Sequence, residues 1–286
     1  MPHVHHTSVE SFWISTALLM IGLAYLHRWL RDAWLVPNGV KSWRAGSFFL
    51  GLFLLWVGIG SPLAHLDHEL LTVHMIQHLL LMTFAPPLIF LGAPWKLLPQ
   101  RLVELNAPLV IRQLASMLLH PTVGWIGATA TLVLWHIPSL FMLGIQSGIW
   151  HGIQQASFLV TGFLFWWPVI ESSRNASKWP ESSILLYLFL ATLPCDILSG
   201  FLVFCDRVVY PFYLSSEPRF GLTALEDQQC AGALMWTCVT LVYLIAGAIF
   251  TARLLSSRGT QEYAIRQSET QGIALQKSNV QRMEVV

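Results

Sequence analysis

The stretch at residues 70–92 reads LLTVHMIQHLLLMTFAPPLIFLG, an almost continuous apolar run that contains His74, His78 and two adjacent prolines. A helix needs about 20 largely apolar residues to cross the hydrocarbon core of a bilayer, and this run is long enough. Only 11% of the 286 residues are charged and 55% are hydrophobic. A soluble domain has about 25% charged residues, so the composition predicts a membrane protein.

Six other segments share the length and apolar character of this run. The seven segments span roughly 11–30, 46–64, 70–92, 121–138, 149–170, 183–204 and 229–252. They predict an all-α fold, a polytopic bundle of seven transmembrane helices.

The segments also divide the chain into regions. The transmembrane domain is predicted to occupy residues 11–255, between an external N-terminal segment at 1–10 and a polar cytoplasmic tail at 256–286. Residues 98–119 mix apolar and charged side chains at helical spacing, which predicts an interfacial helix on the membrane surface.

The basic residues predict the orientation of the bundle. Fourteen of the sixteen Lys and Arg fall in the first, third and fifth connections and in the tail, whereas Arg207 and Arg219 are on the other side. The N-terminus is therefore expected outside and the C-terminus in the cytoplasm. The net charge of +1 gives no reason to expect a nucleic-acid partner.

Nine of the eleven histidines belong to the side that is predicted to be external. His74 and His78 are four positions apart in one helix, so their Cβ atoms lie about 5–6 Å apart and both imidazoles can reach one metal ion. The same spacing also suits a pair of hydrogen-bonded interfacial histidines. His65, Asp67 and His68 precede this helix and are predicted to form an outer rim of the site.

Four further residues are predicted at the same depth on other helices. His136 leaves the fourth segment in the motif WHIP, and His151 begins the fifth. Asp196 lies inside the sixth segment, where an acid is costly unless it faces a polar cavity or a partner. Asp227 is at the external start of the seventh segment.

Each of these four residues also has a structural explanation on its own. His136 and Asp196 are each two residues from a proline and could bond freed backbone groups. His151 could be an interfacial anchor, and Asp227 could cap its helix. Their joint placement is what predicts a metal site, with the side chains as ligands or as groups that orient the imidazoles.

The residue types do not select a single metal. Imidazole with nearby thioether or thiol suits copper, and neutral imidazole also suits zinc or haem iron. Cys205 and Cys230 are both predicted near the external mouth, where a disulfide or thiolate binding of Cu(I) are alternatives. We predict copper as the cofactor, with haem as the alternative.

Four motifs occur in order along the chain: HMIQHLLLMTFAPPLIFLGAP (74–94), WHIP (135–138), FWWPV (165–169) and LEDQQCAGALMW (225–236). Together they resemble the membrane-embedded CtaG family of cytochrome c oxidase assembly factors, of the type associated with caa-type oxidases of bacilli. The resemblance extends over about residues 45–250.

The resemblance implies a multi-pass protein of the bacterial plasma membrane that is needed to produce active haem–copper oxidase. Oxidase subunits are then the expected partners, and copper delivery is the expected mechanism. The positions that match the family motifs are His74, Gln77, His78, His136, His151, Asp227 and Gln228. Family members often have a second histidine four residues after His151, where this chain has Gln155, and this difference weakens the fifth helix as a ligand donor.

Three functions remain open at the level of the sequence. The first is an assembly factor that binds copper at the external face, and the second is a copper transporter. A transporter needs ligands that continue through the bundle, and Met20, His27 and Met82 are sparse for such a route. The third is a haem-binding redox protein, with His78 paired with His136 or His151. No nucleophile–base pair or phosphate-binding glycine loop is evident, so we do not expect an enzyme.

Overall fold

The computed structural model describes residues 3–35, 40–97, 108–174, 179–215 and 221–284, and the regular structure of these residues is entirely helical. Ten α-helices lie in these ranges: α1 (His3–Leu35), α2 (Ser42–Ile59), α3 (Leu71–Leu79), α4 (Ala85–Leu91), α5 (Leu109–Leu118), α6 (Pro121–His136), α7 (Pro138–Gln146), α8 (Gly148–Arg174), α9 (Glu181–Phe204) and α10 (Ala224–Glu284). Short 3₁₀ helices occur at Pro62–His68, Pro94–Leu97 and Pro211–Ser215. The predicted all-α fold is confirmed.

Five spans in the described part of the chain are long and apolar enough to cross a membrane. They are Ser42–Ile59, Leu71–Leu91, Gly148–Ser172, Glu181–Phe204 and Ala224–Ser256. A sixth is added if α5 and α6, which meet at a bend of 58°, are counted as one broken span. The chain is therefore a multi-pass membrane protein, with five or six such spans among its described residues. The predicted seven are not confirmed, because α1 is not among them, and the orientation of the termini stays a prediction.

The predicted interfacial helix is described only in part, because residues 98–107 lie outside the described ranges. The remainder forms α5, a helix with no buried residue. Its apolar side chains, such as Leu109 and Met117, are more than half exposed. The bend of 58° between α5 and α6 gives the two helices different directions. The location of α5 at a membrane surface stays a prediction.

The span Leu71–Leu91 is the central element of the fold. Its 18-residue apolar window is 61% buried, against at most 39% for the corresponding windows of the other four spans. Its sequence includes Pro86 and Pro87, which cannot donate backbone hydrogen bonds. A π-helical segment at Leu80–Phe84 precedes them, and the prolines occupy the first turn of α4, where an N–H is not needed. The histidines on α3 are thereby placed in the protein interior.

Helix α8 packs closely against the central span and against α6 because glycines allow backbone contact. A Cβ atom at Gly162 of α8 would lie 2.8 Å from the Cα of Met82. A Cβ atom at Gly124 of α6 would lie 2.6 Å from the carbonyl oxygen of Leu164. These approaches are shorter than real Cβ contacts, so any larger residue would separate the helices. The packing brings the start of α8, with His151, towards the histidines of α3.

The seventh apolar segment, predicted at residues 229–252, lies within the candidate span Ala224–Ser256. Helix α10 continues beyond this span to Glu284, through most of the polar tail. Helices α9 and α10 expose large apolar side chains, such as those of Phe189, Ile197 and Leu244. Such outward-facing apolar surface is expected of helices that are solvated by lipid.

Candidate metal site

His74 and His78 form the centre of the site. Both side chains are buried, with exposed fractions of 0% and 5%. Their rings meet edge to face with centroids 4.4 Å apart, and the two Nε2 atoms are 2.8 Å apart. The Nδ1 atoms of both rings are buried and have no hydrogen-bond partner among the described residues. The four-residue spacing therefore does place both imidazoles at one point, as the sequence predicted.

Asp67 and His151 complete a cluster around His74. Asp67 is near the end of the 3₁₀ helix Pro62–His68 and is buried, and His151 is in the first turn of α8. The Nε2 atom of His151 lies 3.2 Å from Oδ2 of Asp67. One ligand atom each from Asp67, His74 and His151 lies within 4.8 Å of the other two, which is the arrangement of a candidate metal site. Three separate elements supply these three side chains.

The backbone of the 3₁₀ helix is held by hydrogen bonds from the surrounding helices. The hydroxyl of Tyr213 donates to the carbonyl oxygen of Asp67 at 2.7 Å, and Nε2 of Gln77 donates to the carbonyl oxygen of Ala64 at 2.8 Å. Burial raises the pKa of the Tyr213 phenol, and the nearby carboxylates of Asp67 and Asp227 raise it further. The phenol therefore stays protonated and remains a donor, and the position of Asp67 is fixed.

The predicted outer rim of the site is only partly described. The side chain of His68 is 48% exposed, and its Nε2 atom lies 3.8 Å from Oδ1 of Asp67. His68 is thus an exposed side chain beside the cluster, and its role in an outer rim stays a prediction. The side chain of His65, which was also predicted to be in the rim, lies outside the described residues.

His136 is the last residue of α6 and is buried below His78, with ring centroids 6.5 Å apart. Its Nδ1 atom lies 2.7 Å from the carbonyl oxygen of Leu132, which fixes the ring on its own helix. Its Nε2 atom is buried without a hydrogen-bond partner in the described structure. His136 thus bonds a backbone carbonyl through one ring nitrogen, which is the structural role considered for it from the sequence. Its other ring nitrogen is available to a ligand.

Asp227 contacts backbone amides rather than imidazoles. Its two carboxylate oxygens accept hydrogen bonds from the N–H groups of Leu71 at 2.6 Å and Thr72 at 3.1 Å. These are the first two residues of α3, so Asp227 supplies acceptors for donors that a helix N-terminus cannot satisfy by itself. The carboxylate positions the helix that carries His74 and His78. Gln228 likewise bonds backbone groups, of Val209, Leu202 and Arg207.

The structure does not bring Asp196 together with the histidines. Asp196 lines a groove between α9 and α10 with Thr192 and Thr240, and Oδ1 is buried there without a partner in the described residues. Its neighbour Cys195 faces the cavity beside His78 and His136 instead. Successive residues of a helix point about 100° apart, so only one of the two can face the cavity.

Two glutamines of α8 contact the cluster and were not predicted as part of it. Gln154 is completely buried, and its Nε2 atom lies 3.5 Å from Nε2 of His74. Gln155 takes the position of the second family histidine, and its Nε2 atom lies 3.2 Å from Nε2 of His151. Whether each histidine nitrogen donates or accepts in these contacts depends on the tautomer of the ring, and Nε2 of His151 also lies 3.2 Å from the acceptor Oδ2 of Asp67.

The donor set fits a metal ion. Neutral imidazoles and a carboxylate are ligands for divalent transition metals, and the unpartnered nitrogens of the buried histidines lack any other function within the described structure. The four cysteines are free thiols, so Cys205 and Cys230 are not joined in a disulfide.

Residues 22–257 match the family model described as cytochrome c oxidase caa3 assembly factor (Caa3_CtaG). The chain is also 24% identical over 228 residues to an uncharacterized protein of Mycobacterium bovis and to one of Mycobacterium tuberculosis, with 74% of this chain and 34% of each relative covered. An uncharacterized protein of Mycobacterium leprae is 22% identical over 248 residues, which cover 81% of this chain and 37% of that protein. The chain thus spans about a third of the length of these relatives. No solved structure matches it.

Proposed function

This chain belongs to the Caa3_CtaG family of cytochrome c oxidase caa3 assembly factors, and from that membership we propose that it holds copper at the external histidine–aspartate cluster and supplies it to an oxidase subunit. Family membership supports a role in oxidase assembly and an interaction with the oxidase. The copper, the direct transfer and the bacterial plasma membrane as the location are parts of the proposal. In this role the protein binds and releases an ion and is not an enzyme.

The observation that carries the proposal is the convergence of Asp67, His74 and His151. Their ligand atoms lie within 4.8 Å of one another although they come from three separate elements. Two of the three side chains are buried, and the third is in the first turn of α8. Ionisable side chains are costly in an apolar interior, so their convergence there supports a functional site.

The arrangement of the site also supports loading from the external side. His68 is exposed at the entrance, and Asp67 lies between His68 and His151 with contacts of 3.8 Å and 3.2 Å. A hydrated ion can therefore meet an exposed imidazole and a carboxylate first and exchange its water for the buried imidazole of His74.

The haem alternative is less well supported by the packing. The rings of His74 and His78 touch one another, and His78 stacks on Phe158 with centroids 4.0 Å apart. The cavity beside them has a volume of about 40 Å³. Sites for organic cofactors usually have volumes of about 300–1,000 Å³, so this space suits an ion or a water molecule.

The proposal is tested by replacing both His74 and His78 with Ala and, separately, Asp67 with Asn. The oxidase activity and the copper content of membranes should fall strongly in both variants when the protein is present at normal abundance. Asp67→Asn preserves the shape of the side chain, so it separates loss of a ligand charge from loss of packing. His27→Ala is the control, because His27 is exposed on α1 and outside the cluster. Activity and copper that stay normal in both site variants would reject the proposal.

A further inference from the structure

A small cavity lies on the inner side of the histidine cluster, between the central span and four other helices. Its volume is about 40 Å³, and it is lined by side chains of α6, α8, α9, α10 and the span Leu71–Leu91. A cavity of this size has room for an ion or one water molecule. The residues around it that carry nitrogen or sulfur are His78, His136, Cys195, Met82 and Met235.

Two of these residues have nitrogen atoms without a partner. His78 and His136 are both more than nine-tenths buried. The Nε2 atom of His78 already meets His74, so Nδ1 is the nitrogen left for the cavity, and it is buried without a hydrogen bond in the described structure. In His136 the remaining nitrogen is Nε2, because Nδ1 is bonded to the carbonyl oxygen of Leu132. Nε2 is also buried without a hydrogen bond in the described structure. Unpaired buried polar groups are costly, so two at one cavity indicate a ligand.

The sulfur atoms give the cavity a chemistry that differs from that of the external cluster. Cys195 and Met235 are both buried, with exposed fractions of 3%, and they come from α9 and α10. Thiol and thioether ligands prefer the soft ion Cu(I), whereas the carboxylate of Asp67 prefers harder divalent ions. The external cluster offers only nitrogen and oxygen, and the cavity offers nitrogen and sulfur.

From this difference we infer a second, inner metal site for Cu(I) at the cavity, held by His78, His136 and Met235, with Met82 beside them. Cys195 lines the same cavity, and its Sγ atom lies 3.7 Å from Oγ of Ser199. His78 belongs to both sites, with one ring nitrogen towards each. The inference deepens the proposed function and rests on it: a Cu(I) ion that enters past Asp67 and His74 has an adjacent position with a thioether ligand that suits it, and its oxidation state does not change.

The test uses the purified full-length protein, loaded with Cu(I) under anaerobic conditions. X-ray absorption of the bound copper should show sulfur neighbours, and competition with a chromophoric Cu(I) chelator gives the affinity. In the double variant Cys195→Ser with Met235→Leu, the sulfur signal should disappear and the affinity should fall by at least about tenfold. The matched control is Cys238→Ser with Met20→Leu, which removes one thiol and one thioether outside the cavity lining and should change neither readout.

Copper with only nitrogen and oxygen neighbours in the wild-type protein would overturn the inference, as would a sulfur signal that persists in the double variant. If that variant does not fold, Met235→Leu alone preserves the volume of the core and should still remove one sulfur neighbour. Asp67→Asn separates the two proposals, because it should impair oxidase copper loading and leave the sulfur-bound Cu(I) in place. If the inner site does not exist, Asp67→Asn still lowers the oxidase copper content. If the proposed function is wrong, the sulfur signal of the bound Cu(I) is still observed.

Discussion

Replacement of Asp227 distinguishes a residue that positions the metal site from one that binds the metal. Asp227 is 3% exposed, and its carboxylate accepts hydrogen bonds from the backbone N–H groups of Leu71 and Thr72 at 2.6 and 3.1 Å. Asp227→Ala leaves both donors unpaired at a buried helix N-terminus. A buried donor without a partner costs about 1–3 kcal/mol, so the free energy of unfolding should fall by about 2–6 kcal/mol.

Asp227→Asn gives an intermediate case. The amide retains one acceptor oxygen and loses the charge, so one donor of α3 stays unpaired and the loss should be about 1–3 kcal/mol. Glu226→Gln is the matched control, since Glu226 is the adjacent acid but is exposed and bonds only Thr223 of its own helix start. It should cause only a small loss of stability.

The assay is reversible denaturation of the metal-free protein in detergent micelles, followed by a copper-binding titration of each variant. If Asp227 positions α3, stability should decrease in the order wild type, Asn, Ala, and copper affinity should weaken in the same order. A ligand role predicts a different result: Asn and Ala would both abolish binding while the metal-free proteins remain as stable as the wild type. That second pattern would refute the positioning argument.

Two further predictions concern the packing and the topology. Gly162→Ala should lower the free energy of unfolding by about 1–3 kcal/mol, because the new Cβ atom would lie 2.8 Å from the Cα of Met82. Gly152→Ala on the same helix is the control and should not be destabilising, since its Cβ atom would meet no atom within 4 Å; thermal unfolding of the two purified variants compares them. The distribution of Lys and Arg predicts that reporter fusions at Ser147 and Ser177 report opposite sides of the membrane, external and cytoplasmic respectively. Reporters that are both on one side would contradict the predicted orientation.

Much of the fold could be predicted from local patterns. The apolar segments identified the central span, and its end was predicted at Gly92, which caps α4. The π-helical turn at Leu80–Phe84 was not predicted, because the spacing of apolar residues does not distinguish a regular α-helix from one that contains an inserted residue. The continuation of α10 to Glu284 was also missed, because the search for spans considered only apolar residues.

The candidate site was predictable where it depends on one helix. The positions of His74 and His78 follow from the four-residue spacing, which fixes the distance between two side chains on any helix. Asp67 was assigned only to the outer rim, whereas the structure buries it against His151. Gln154 was not considered at all. The burial of Asp67 and the contact of Gln154 with His74 depend on how the 3₁₀ helix Pro62–His68 and α8 pack against α3. Local sequence patterns do not give the packing of one element against another.

The sequence by itself determined that this is a helical membrane protein, that its family concerns oxidase assembly, and that two histidines share one face of the central helix. Only the tertiary structure decided which other side chains meet them. Asp227 turns its carboxylate to the backbone of α3, and Cys195 rather than Asp196 faces the inner cavity. Spacing along a helix fixes the angle between its side chains, but the rotation of the whole helix about its axis is set by packing against its neighbours, and it is this rotation that selects the residues of the site.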